Sequence, residues 1–237
     1  MTKRYVGSSG HGLTIRGAKY FIDEVEEARK VTNEVHRILT TQYNGAGSVF
    51  HDDMSTSQNQ NLQTIVNYHN KQARELDWSV HFNAASVTDA PRGVEVLYYD
   101  MKDLSAKVSA EIAKVSGLKD RGPKQRTELY FLKNTYKPAI LIEVCFVDSQ
   151  ADVELYQKNF NGICTAIADS LATYLCYTKK EEVKEAQAKV MLNDSKSIPA
   201  MIIDGRTHVQ VRDLAELLGL KLVYNNESKI TKLYEVK

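Results

Sequence analysis

The chain has 237 residues, of which 43% are hydrophobic, enough for one sizeable core and a small second unit. Its 31 lysines and arginines nearly balance its 30 aspartates and glutamates, so net charge provides no general attraction to nucleic acid or an anionic membrane. No window has the apolar length of a membrane span, and the first residues, MTKRYVGSSGHG, lack the apolar run of a secretory signal. We therefore expect a soluble protein that is cytoplasmic when synthesised, without a signal peptide, membrane insertion or a nucleic-acid partner.

Strands and helices alternate from the first residues onward. Residues 4–10 predict a short strand that runs into a turn of Gly and Ser, and residues 23–41 predict an amphipathic helix that begins at Asp23. The segment GSVFHDD predicts a second strand, NLQTIVNYHNKQARE a second helix, and residues 77–84 a third strand. The inner face of the first helix is defined by residues at helical spacing: Val25, Ala28, Val31, Thr32, Val35, Ile38 and Leu39.

The same alternation continues to the end of a first domain. A loop with Pro91 precedes the predicted strand GVEVLYYD, and residues 103–117 predict a helix. The segment PAILIEVCFVD predicts a fully buried strand, followed by one long helix that ends near Tyr177. Alternating strands and helices favour the α/β class with a largely parallel or mixed sheet, here assigned to residues 1–177.

Two further segments follow this domain. Residues 178–189 are mostly charged and predict a linker. Residues 190–237 predict a small α+β domain of two strands, a short helix at 211–218 and two more strands, near the lower size limit for independent folding.

The three cysteines, Cys145, Cys164 and Cys176, match neither a disulfide framework nor a paired-cysteine zinc site. In a single helix over residues 151–176, Cys164 and Cys176 would lie about 18 Å apart along the axis, too far to bridge. All three are predicted to be small core residues, because free cysteine is among the most buried residue types.

Strand alternation divides the segment SVHFNA and the preceding tryptophan into two faces. One face carries Trp78, Val80 and Phe82, and the other carries Ser79, His81 and Asn83. A histidine in the middle of a polar strand face is a candidate ligand or catalytic group. Asn83 is a candidate for orienting a ligand or binding substrate, with a strand-end asparagine that bonds its own backbone as the alternative.

Three further ionisable residues lie where a purely structural protein has no need of them. His11 lies between two glycines at the end of the first predicted strand, although a loop histidine alone is a weak signal. Glu24 falls within the apolar stripe of the first helix and therefore faces inward, where it needs a cation or strong donors; a glutamate stabilised by the helix dipole is the alternative. Glu143 interrupts the apolar run ILIEVCFV, which suits a general base with raised proton affinity, or else a structural salt bridge to an arginine.

Together, these residues predict a metal-assisted amide hydrolase. Two histidines and one carboxylate, His11, Glu24 and His81, form a ligand set typical of a catalytic zinc ion that keeps one position open for water. Glu143 is predicted to take the proton of that water, and Cys145 to lie on the same strand face without a chemical role.

The remaining histidines have simpler interpretations. His51, in VFHDDMST, is a rival ligand, although we favour a loop role for this stretch. His36, His69 and His208 are predicted to be solvated surface residues.

These residues also carry a family resemblance that covers residues 4–177. In order, GHG at 10–12, the inward Glu24, SVHFNA at 79–84 and LIEVCFVDSQAD at 141–152 resemble the motif series of zinc-dependent N-acetylmuramoyl-L-alanine amidases of the third amidase family. The segments STSQNQNLQTIVNYHN and RGPKQRTELYFLKNT resemble the amidase domains of phage endolysins from Gram-positive hosts.

The resemblance implies a twisted six-stranded sheet flanked by helices, and one zinc ion held by His11, Glu24 and His81. It implies that Glu143 is catalytic and that the reaction is cleavage of the amide between N-acetylmuramic acid and L-alanine in peptidoglycan. Two departures from the family pattern are the segment LTIRGAKYFI after the first histidine and Cys145 in place of the usual glycine. The lack of a signal peptide fits an enzyme that reaches the cell wall after release by lysis.

The C-terminal segment IIDGRTHVQVRDLAELLGLKLVYNNES resembles a small domain related to the N-terminal domain of copper amine oxidases, with Gln210 where that motif has proline. This resemblance implies a wall-binding role or a homo-oligomer formed through the C-terminal domain, with a structural cap as the alternative. Two alternative functions for the whole chain stay open: a noncatalytic wall-binding protein, and a zinc endopeptidase that cuts within the stem peptide.

Overall fold

The computed structural model describes residues 2–180, 186–192, 196–203, 206–225 and 230–235. The chain forms two compact units, Met1–Lys180 and Glu181–Lys237. The elements of the first unit are β1 (Arg4–Ser9), α1 (Glu24–Thr41), β2 (Ala46–Phe50), α2 (Gln58–Lys71), β3 (Leu76–Asn83), β4 (Val94–Tyr98), α3 (Lys102–Ser116), β5 (Asp120–Gln125), α4 (Tyr130–Asn134), β6 (Ala139–Phe146), α5 (Gln150–Lys158) and α6 (Phe160–Leu175).

The strands of the first unit form one six-stranded sheet in the order β2-β1-β3-β6-β4-β5. Only the pairing of β4 with β6 is antiparallel, and the other four pairs of neighbours are parallel. The structure therefore confirms the predicted mixed, mostly parallel sheet flanked by helices.

Both faces of this sheet are covered, so its central strands are buried. On one face, the side chains of Trp78, Val80 and Phe82 join the main apolar cluster with residues of α1, α3 and α6. On the other face, a smaller cluster contains Ile65 and Val66 of α2, Phe131 and Leu132 of α4, and sheet residues such as Leu141. The predicted division of β3 into two faces agrees with this packing. The apolar face of β3 packs into the main cluster, and its polar face lies on the side of the sheet that carries the smaller cluster.

Helix α1 begins as the sequence predicts. The side chain of Asp23 accepts a hydrogen bond from the backbone N–H of Val25, which is typical of an N-cap residue. Three glutamates in the first turn lie at the positive end of the helix dipole, and Glu24 is the one among them that is buried together with the apolar stripe.

The predicted long last helix is two helices. The backbone N–H of Asn159 bonds to the carbonyls of Leu155 and Tyr156, and the chain turns there between α5 and α6. Cys176 follows α6 in the left-handed conformation, with φ of 60°, and is exposed. The prediction of a core position was therefore wrong for Cys176, because the residue lies past the apolar face of the helix, whereas Cys145 and Cys164 are buried as predicted.

Strand β5 was not predicted. Its sequence, DRGPKQ, contains Gly122 and Pro123 and no large apolar residue, so neither alternation nor β propensity marks it. It lies at the edge of the sheet beside β4, the position in which a sheet tolerates proline.

An irregularity in β6 changes which side chains share a face. His81 is paired with Glu143, but Asn83 is paired with Phe146, so β6 has one extra residue over this stretch. The alternation of β6 is reversed beyond Glu143, and Cys145 packs into the main apolar cluster. The prediction that Cys145 lies on the same face as Glu143 was wrong for this reason.

The second unit is small and mostly β. Its elements are β7 (Ala186–Leu192), β8 (Lys196–Ile203), β9 (Arg206–His208), α7 (Val211–Leu217), β10 (Leu220–Asn225) and β11 (Ile230–Glu235). Strands β7, β8 and β9 form one antiparallel sheet, and β10 and β11 form a two-stranded antiparallel pair. Residues 186–189 of the predicted linker belong to β7, residues 181–185 lie outside the described residues, and β9 was not predicted. Among the described helices, none has the length and apolar character that crossing a bilayer requires.

Candidate metal centre and adjoining cavity

The carboxyl ends of β1, β3 and β6 meet at one edge of the sheet because these strands are parallel. His11 follows the end of β1, and His81 lies near the end of β3. Glu24 is the first residue of α1, which packs against β1 and β3. The topology therefore brings together three side chains that are far apart in the sequence.

The distances between these side chains fit a shared metal ion. Oε1 of Glu24 lies 3.3 Å from Nε2 of His11 and 3.2 Å from Nδ1 of His81, and the three ligand atoms lie within 4.8 Å of one another. Tetrahedral zinc with bonds of about 2.0–2.1 Å places neighbouring ligand atoms about 3.3 Å apart. Charge-assisted hydrogen bonds are shorter, about 2.7–2.9 Å. The donor set and its two spacings from Glu24 thus suit zinc.

The carboxylate of Glu24 is fixed by the backbone. The N–H of Ala18 donates to Oε2 at 2.7 Å, and the N–H of Phe82 donates to Oε1 at 3.1 Å. Glu24 is 3% exposed, and burial alone would raise its pKa, but contacts with His11 and His81 outweigh burial and hold the pKa well below its usual range. Glu24 therefore faces inward, as the sequence predicts, and in its ionised form.

His81 tends to be uncharged, whereas Glu24 is charged. Burial lowers the pKa of His81, and the neighbouring His11 lowers it further, although Glu24 raises it. The neutral imidazole that results is the form that binds metals. The rings of His11 and His81 lie 5.1 Å apart at an edge-to-face angle of 77°, so both can present a nitrogen to one point.

Two glycines allow this close approach. A Cβ atom at Gly10 would overlap the ring of His81, and a Cβ atom at Gly17 would overlap both Glu24 and the ring of His11. Gly17 belongs to the segment LTIRGAKYFI, in which the sequence analysis identified a departure from the family pattern but no function. A glycine that is needed for packing rather than for a turn leaves no local sequence signal.

Glu143 lies on the strand next to His81 and is paired with it in register. Its Oε2 atom is buried and has no hydrogen-bond partner within the part of the chain that the structure describes. Burial raises the pKa of Glu143 well above its usual value, and the charges of Glu24 and Glu95 raise it further. No ion pair to Glu143 occurs among the described residues, so the structure offers no support for the alternative of a salt bridge to an arginine.

A cavity of about 270 Å³ adjoins these groups. His11, Ser79, His81 and Glu143 contribute its polar wall. Its other side is largely apolar and comes from α2, β4, β6 and the segment around α4, through Leu62, Ile65, Leu97, Leu129, Phe131 and Leu141. These apolar residues were not predicted from the sequence, although Leu141 shares the strand face of Glu143 and could have been found by alternation.

Asn83 has both ends of its side chain occupied. Its Nδ2 donates to Oε1 of Glu95 at 3.0 Å, and its Oδ1 accepts from the backbone N–H of Ala84 at 2.9 Å. Asn83 is not among the residues that line the cavity. The contact with Ala84 matches the local alternative for Asn83, and its substrate-binding role stays a prediction.

His51 lies outside the ligand cluster. Its Nδ1 lies 2.8 Å from Oγ of Ser9, and its Nε2 lies 2.9 Å from Oδ1 of Asn33. The next residue, Asp52, accepts hydrogen bonds from the backbone N–H groups of Met54 and Ser55, an arrangement typical of a turn. Within the described part of the chain, His11, Glu24 and His81 form the one cluster of His, Cys, Asp or Glu whose spacing suits a metal.

The prediction of a solvated surface position holds for only one of the three other histidines. His208 is exposed, and His36 is half-buried with its Nδ1 2.9 Å from the hydroxyl of Tyr5. His69 is fully buried, with its Nδ1 2.8 Å from Oδ1 of Asp77. The prediction for His69 was wrong. Its polar sequence neighbours indicated a surface position, but the ring is buried against Asp77 on β3.

Comparisons with known proteins place this geometry in a wider group. A family model described as N-acetylmuramoyl-L-alanine amidase matches residues 8–173. A 38.4 kDa protein of Clostridium perfringens is 29% identical over 192 residues, which cover 78% of this chain and 54% of that protein. The endolysin of Bacillus phage SPP1 is 28% identical over 199 residues, which cover 76% of this chain and 69% of the endolysin. The chain spans about half the length of the Clostridium perfringens relatives that it matches.

The fold is shared with solved structures. The catalytic domain of the CD27L endolysin targeting Clostridia Difficile aligns with a TM-score of 0.64 at 21% identity. The alignment covers 72% of this chain and 97% of that domain. At this level of identity, the similarity shows the fold of the first unit and no more.

Proposed function

This chain belongs to the N-acetylmuramoyl-L-alanine amidase family, and from that premise we propose that it hydrolyses the amide bond between N-acetylmuramic acid and L-alanine in peptidoglycan. One observation carries the proposal. Glu143, a half-buried acid without an ion-pair partner among the described residues, lies in register with the candidate ligand His81 and lines the cavity beside it. A protein that only binds the cell wall has no use for such a group.

The cofactor in this proposal is one Zn²⁺ ion held by His11, Glu24 and His81. When bound, the ion acts as a Lewis acid that lowers the pKa of water and polarises a carbonyl oxygen. Glu24 supplies the negative charge of the ligand set, and its two backbone hydrogen bonds keep the carboxylate oriented toward the histidines. His81 binds as a neutral imidazole, because burial lowers its pKa.

Glu143 acts as the general base and then as the general acid. Its carboxylate removes a proton from the attacking water, whose oxygen forms a bond to the lactyl carbonyl carbon. The bond from that carbon to the L-alanine nitrogen then breaks, and Glu143 returns the proton to this nitrogen as the amine leaves. The raised pKa of Glu143 suits both steps, because the carboxyl group holds the proton between them.

The cavity serves the reaction by limiting water. Its apolar wall, which includes Leu97, Phe131 and Leu141, faces the polar wall that carries Glu143. Electrostatic interactions are stronger beside such an apolar wall than in bulk water. We expect the short apolar parts of the substrate to lie against this wall.

The experiment that tests the function follows the bond that is cut. Purified protein is incubated with isolated peptidoglycan, with and without a chelator, beside Glu143→Gln, and new L-alanine amino termini are counted together with the loss of turbidity. The proposal predicts L-alanine termini that depend on added Zn²⁺ and on Glu143. New termini from other residues would indicate a stem-peptide endopeptidase, and wall binding without any cutting would indicate a noncatalytic protein.

The second unit is proposed to bind the cell wall or to join two copies of the chain. Its strands β10 and β11 form an isolated pair, on which several large apolar side chains are exposed: Val223, Tyr224, Ile230, Leu233 and Tyr234. The register of the pair puts Tyr224 and Leu233 on one face and Val223, Ile230 and Tyr234 on the other, so both faces expose apolar side chains that favour association. Sedimentation velocity of the full chain and of Leu233→Glu tests for a dimer, and pelleting of Glu143→Gln with peptidoglycan tests for wall binding.

The route to the substrate is proposed to be release by lysis. The similarity to a phage endolysin supports this route for the chain. Fractionation of producing cells before and after lysis tests it, with the protein expected in the soluble cell contents before lysis and on the walls afterwards.

A further inference from the structure

Two arginines cover one aromatic ring beside the candidate metal centre. Phe146 ends β6 at the edge of the sheet that carries His81, and it is 4% exposed although it lies outside both apolar clusters. The Cζ atom of Arg92 lies 5.4 Å from the centroid of this ring, and that of Arg121 lies 5.1 Å from it. Cation–π contacts at this distance hold both guanidinium groups against the ring.

Both guanidinium groups keep N–H donors that no described residue uses. Arg121 donates from Nε to Oε2 of Glu95 at 2.6 Å, and its two terminal nitrogens have no partner within the described part of the chain. Arg92 donates from Nη2 to the carbonyl and hydroxyl oxygens of Ser86, and its Nη1 and its buried Nε have no partner among the described residues. The side chain of Arg121 is 35% exposed, so its free donors are accessible.

This group holds two positive and two negative charges but only one direct ion pair among the described residues. Arg92 and Arg121 carry the positive charges, and Glu95 is the carboxylate that pairs with the guanidinium of Arg121. Asp152 also lies close, but it accepts from the backbone N–H groups of Arg92, Gly93 and Phe146 and not from either guanidinium. A planar guanidinium with free terminal N–H groups matches a carboxylate in geometry and in charge.

The position of Arg121 relative to Glu143 sets which part of a substrate it can reach. His81, Glu143 and Glu95 are in register on three neighbouring strands, and Arg121 lies on the next strand, β5. Strands are spaced about 4.8 Å apart, so the backbone of Arg121 lies about 10 Å from that of Glu143. An extended peptide advances about 3.3–3.6 Å per residue, so a side group one or two residues beyond the scissile amide lies within reach of the arginine.

We propose that Arg121, supported by Arg92, forms a subsite for a free carboxylate of the stem peptide on the L-alanine side of the scissile bond. This inference deepens the proposed function and rests on it. Because Glu143 returns its proton to the L-alanine nitrogen, that nitrogen lies beside Glu143, and the proposal has the peptide continue toward β4 and β5, the side of β6 on which the arginines lie. The subsite favours substrates in which the residue after L-alanine carries a carboxylate over substrates in which it carries a carboxamide.

The test compares two small substrates that differ only in whether the residue after L-alanine carries carboxylates or carboxamides. N-acetylmuramoyl-L-alanyl-D-glutamate and its diamide are hydrolysed by the zinc-loaded full chain, by Arg121→Gln and by Arg121→Lys. The native chain is expected to prefer the diacid in kcat/KM by about tenfold or more, the size expected for hydrogen bonds between charged groups. Arg121→Gln is expected to lose this preference, and Arg121→Lys to keep part of it.

The ratio of kcat/KM for the two substrates separates recognition of the carboxylate by Arg121 from a structural role of this residue. Loss of Arg121 also leaves Glu95 without its ion-pair partner, and that carboxylate would itself repel the diacid. The ratio is therefore also measured for the double variant Glu95→Gln with Arg121→Gln, which removes both charges, and the preference for the diacid is expected to stay lost there. Arg37→Gln is the matched control, because Arg37 also pairs with a glutamate, Glu34, on an exposed face of α1. The control is expected to keep the native preference, and a preference that survives in Arg121→Gln would overturn the subsite.

Binding measured without turnover keeps the two proposals distinguishable. Calorimetry follows L-alanyl-D-glutamate and its diamide added to metal-free Glu143→Gln and to the same protein with Arg121→Gln. Tighter binding of the diacid that Arg121→Gln abolishes supports the subsite even if neither muramoyl substrate is cleaved, in which case only the proposed function fails. Equal binding of the two peptides, or equal cleavage of the two substrates by the native chain, would overturn the proposed carboxylate subsite.

Discussion

Glu95 lies directly opposite Glu143 where β4 pairs with the antiparallel β6, so the two carboxyl groups share one face of the sheet. Glu95 is 6% exposed and accepts hydrogen bonds from Asn83 and Arg121. Its charge is one of the causes that raise the pKa of Glu143, after burial and the charge of Glu24. Glu95 is therefore placed to tune the base without touching the substrate.

We predict that Glu95→Gln moves the acidic limb of the pH profile of kcat/KM to lower pH. Glu143 must lose its proton before it can act as the base, and removal of the neighbouring negative charge makes that ionisation easier. The measurement is kcat/KM between pH 4 and 9 for the zinc-loaded chain. Glu34→Gln, which removes a half-buried carboxylate that pairs with Arg37 on α1, is the control and should leave the limb in place. A limb that stays in place in Glu95→Gln would contradict the coupling.

Glu143→Gln is expected to lower kcat by about 10²–10⁴-fold, the usual contribution of a general acid–base group. Zinc binding should persist, because the carboxamide is nearly isosteric and Glu143 is not one of the three proposed ligands. The measurements are kcat on isolated peptidoglycan and the bound zinc per chain after dialysis. His81→Ala is the comparison, in which bound zinc should fall together with activity. Loss of zinc in Glu143→Gln would instead make Glu143 a ligand.

The same substitution should stabilise the metal-free protein at neutral pH. Below the ordinary pKa of 4.5, Glu143 is protonated in both the folded and the unfolded chain, so burial has no ionic cost there. Above pH 4.5 the unfolded chain releases the proton while the folded chain retains it, and the free energy of unfolding falls by up to about 1.4 kcal/mol per pH unit. Because glutamine does not titrate, the advantage of Glu143→Gln should widen as pH rises.

Urea denaturation in the presence of a chelator, at pH 4.5 and at pH 7.5, measures this difference. The two proteins should be close in stability at the lower pH and differ by on the order of 1–3 kcal/mol at the higher pH, the usual cost of an unsatisfied buried polar group. A gap that narrows with rising pH would show that Glu143 ionises readily in the folded chain.

Much of the fold and of the candidate site follows from local patterns. Alternation assigned Trp78 and His81 to opposite faces of β3, and helical spacing placed Glu24 on the buried stripe of α1. These predictions held because each depended on the repeat of one element. The proximity of His11 to His81 could be inferred only because the carboxyl ends of parallel strands lie at the same edge of a sheet. The distance between the two rings required the structure.

Other features had no local signal. The extra residue in β6 reverses the face of Cys145, and nothing in ILIEVCFV marks where the alternation breaks. Gly17 has no Cβ atom and therefore leaves room for the side chains of Glu24 and His11 to lie close together. Its role depends on residues elsewhere in the sequence, so its own position gives no signal. The burial of His69 depends in the same way on Asp77.

Gly17→Ala should weaken zinc binding by about 10–100-fold, as is usual when the support of a ligand is disturbed. The added Cβ overlaps the carboxylate of Glu24 and the ring of His11, so one ligand must move. Gly162→Ala on α6 is the matched control, because its Cβ would make only ordinary contacts, at 3.8 Å from Val115. Competition with a fluorescent zinc chelator measures the affinity. Equal affinities for the two variants would show that the loop around Gly17 yields without cost to the site.

Arg74→Met tests a buried charge cluster that supports the fold away from the metal ligands. Arg74 donates from Nε and Nη2 to the two carboxylate oxygens of Asp77, both at 2.8 Å, and His69 contacts the same carboxylate. Removal of the arginine leaves Asp77 buried with only the neutral or weakly basic His69 as its partner. Breaking a buried pair in this way usually costs about 3–5 kcal/mol.

For a chain of this size, that loss corresponds to a fall in Tm of roughly 6–20 °C. Calorimetric melting of the metal-free protein measures it, with zinc affinity as a second measurement that should change little. Arg37→Met is the control, because its exposed pair with Glu34 is worth at most about 1 kcal/mol. If the melting temperatures of the two variants were equal, the Arg74 cluster would contribute no more than a surface pair. The link that it makes between α2 and β3 would then be replaceable by apolar packing alone.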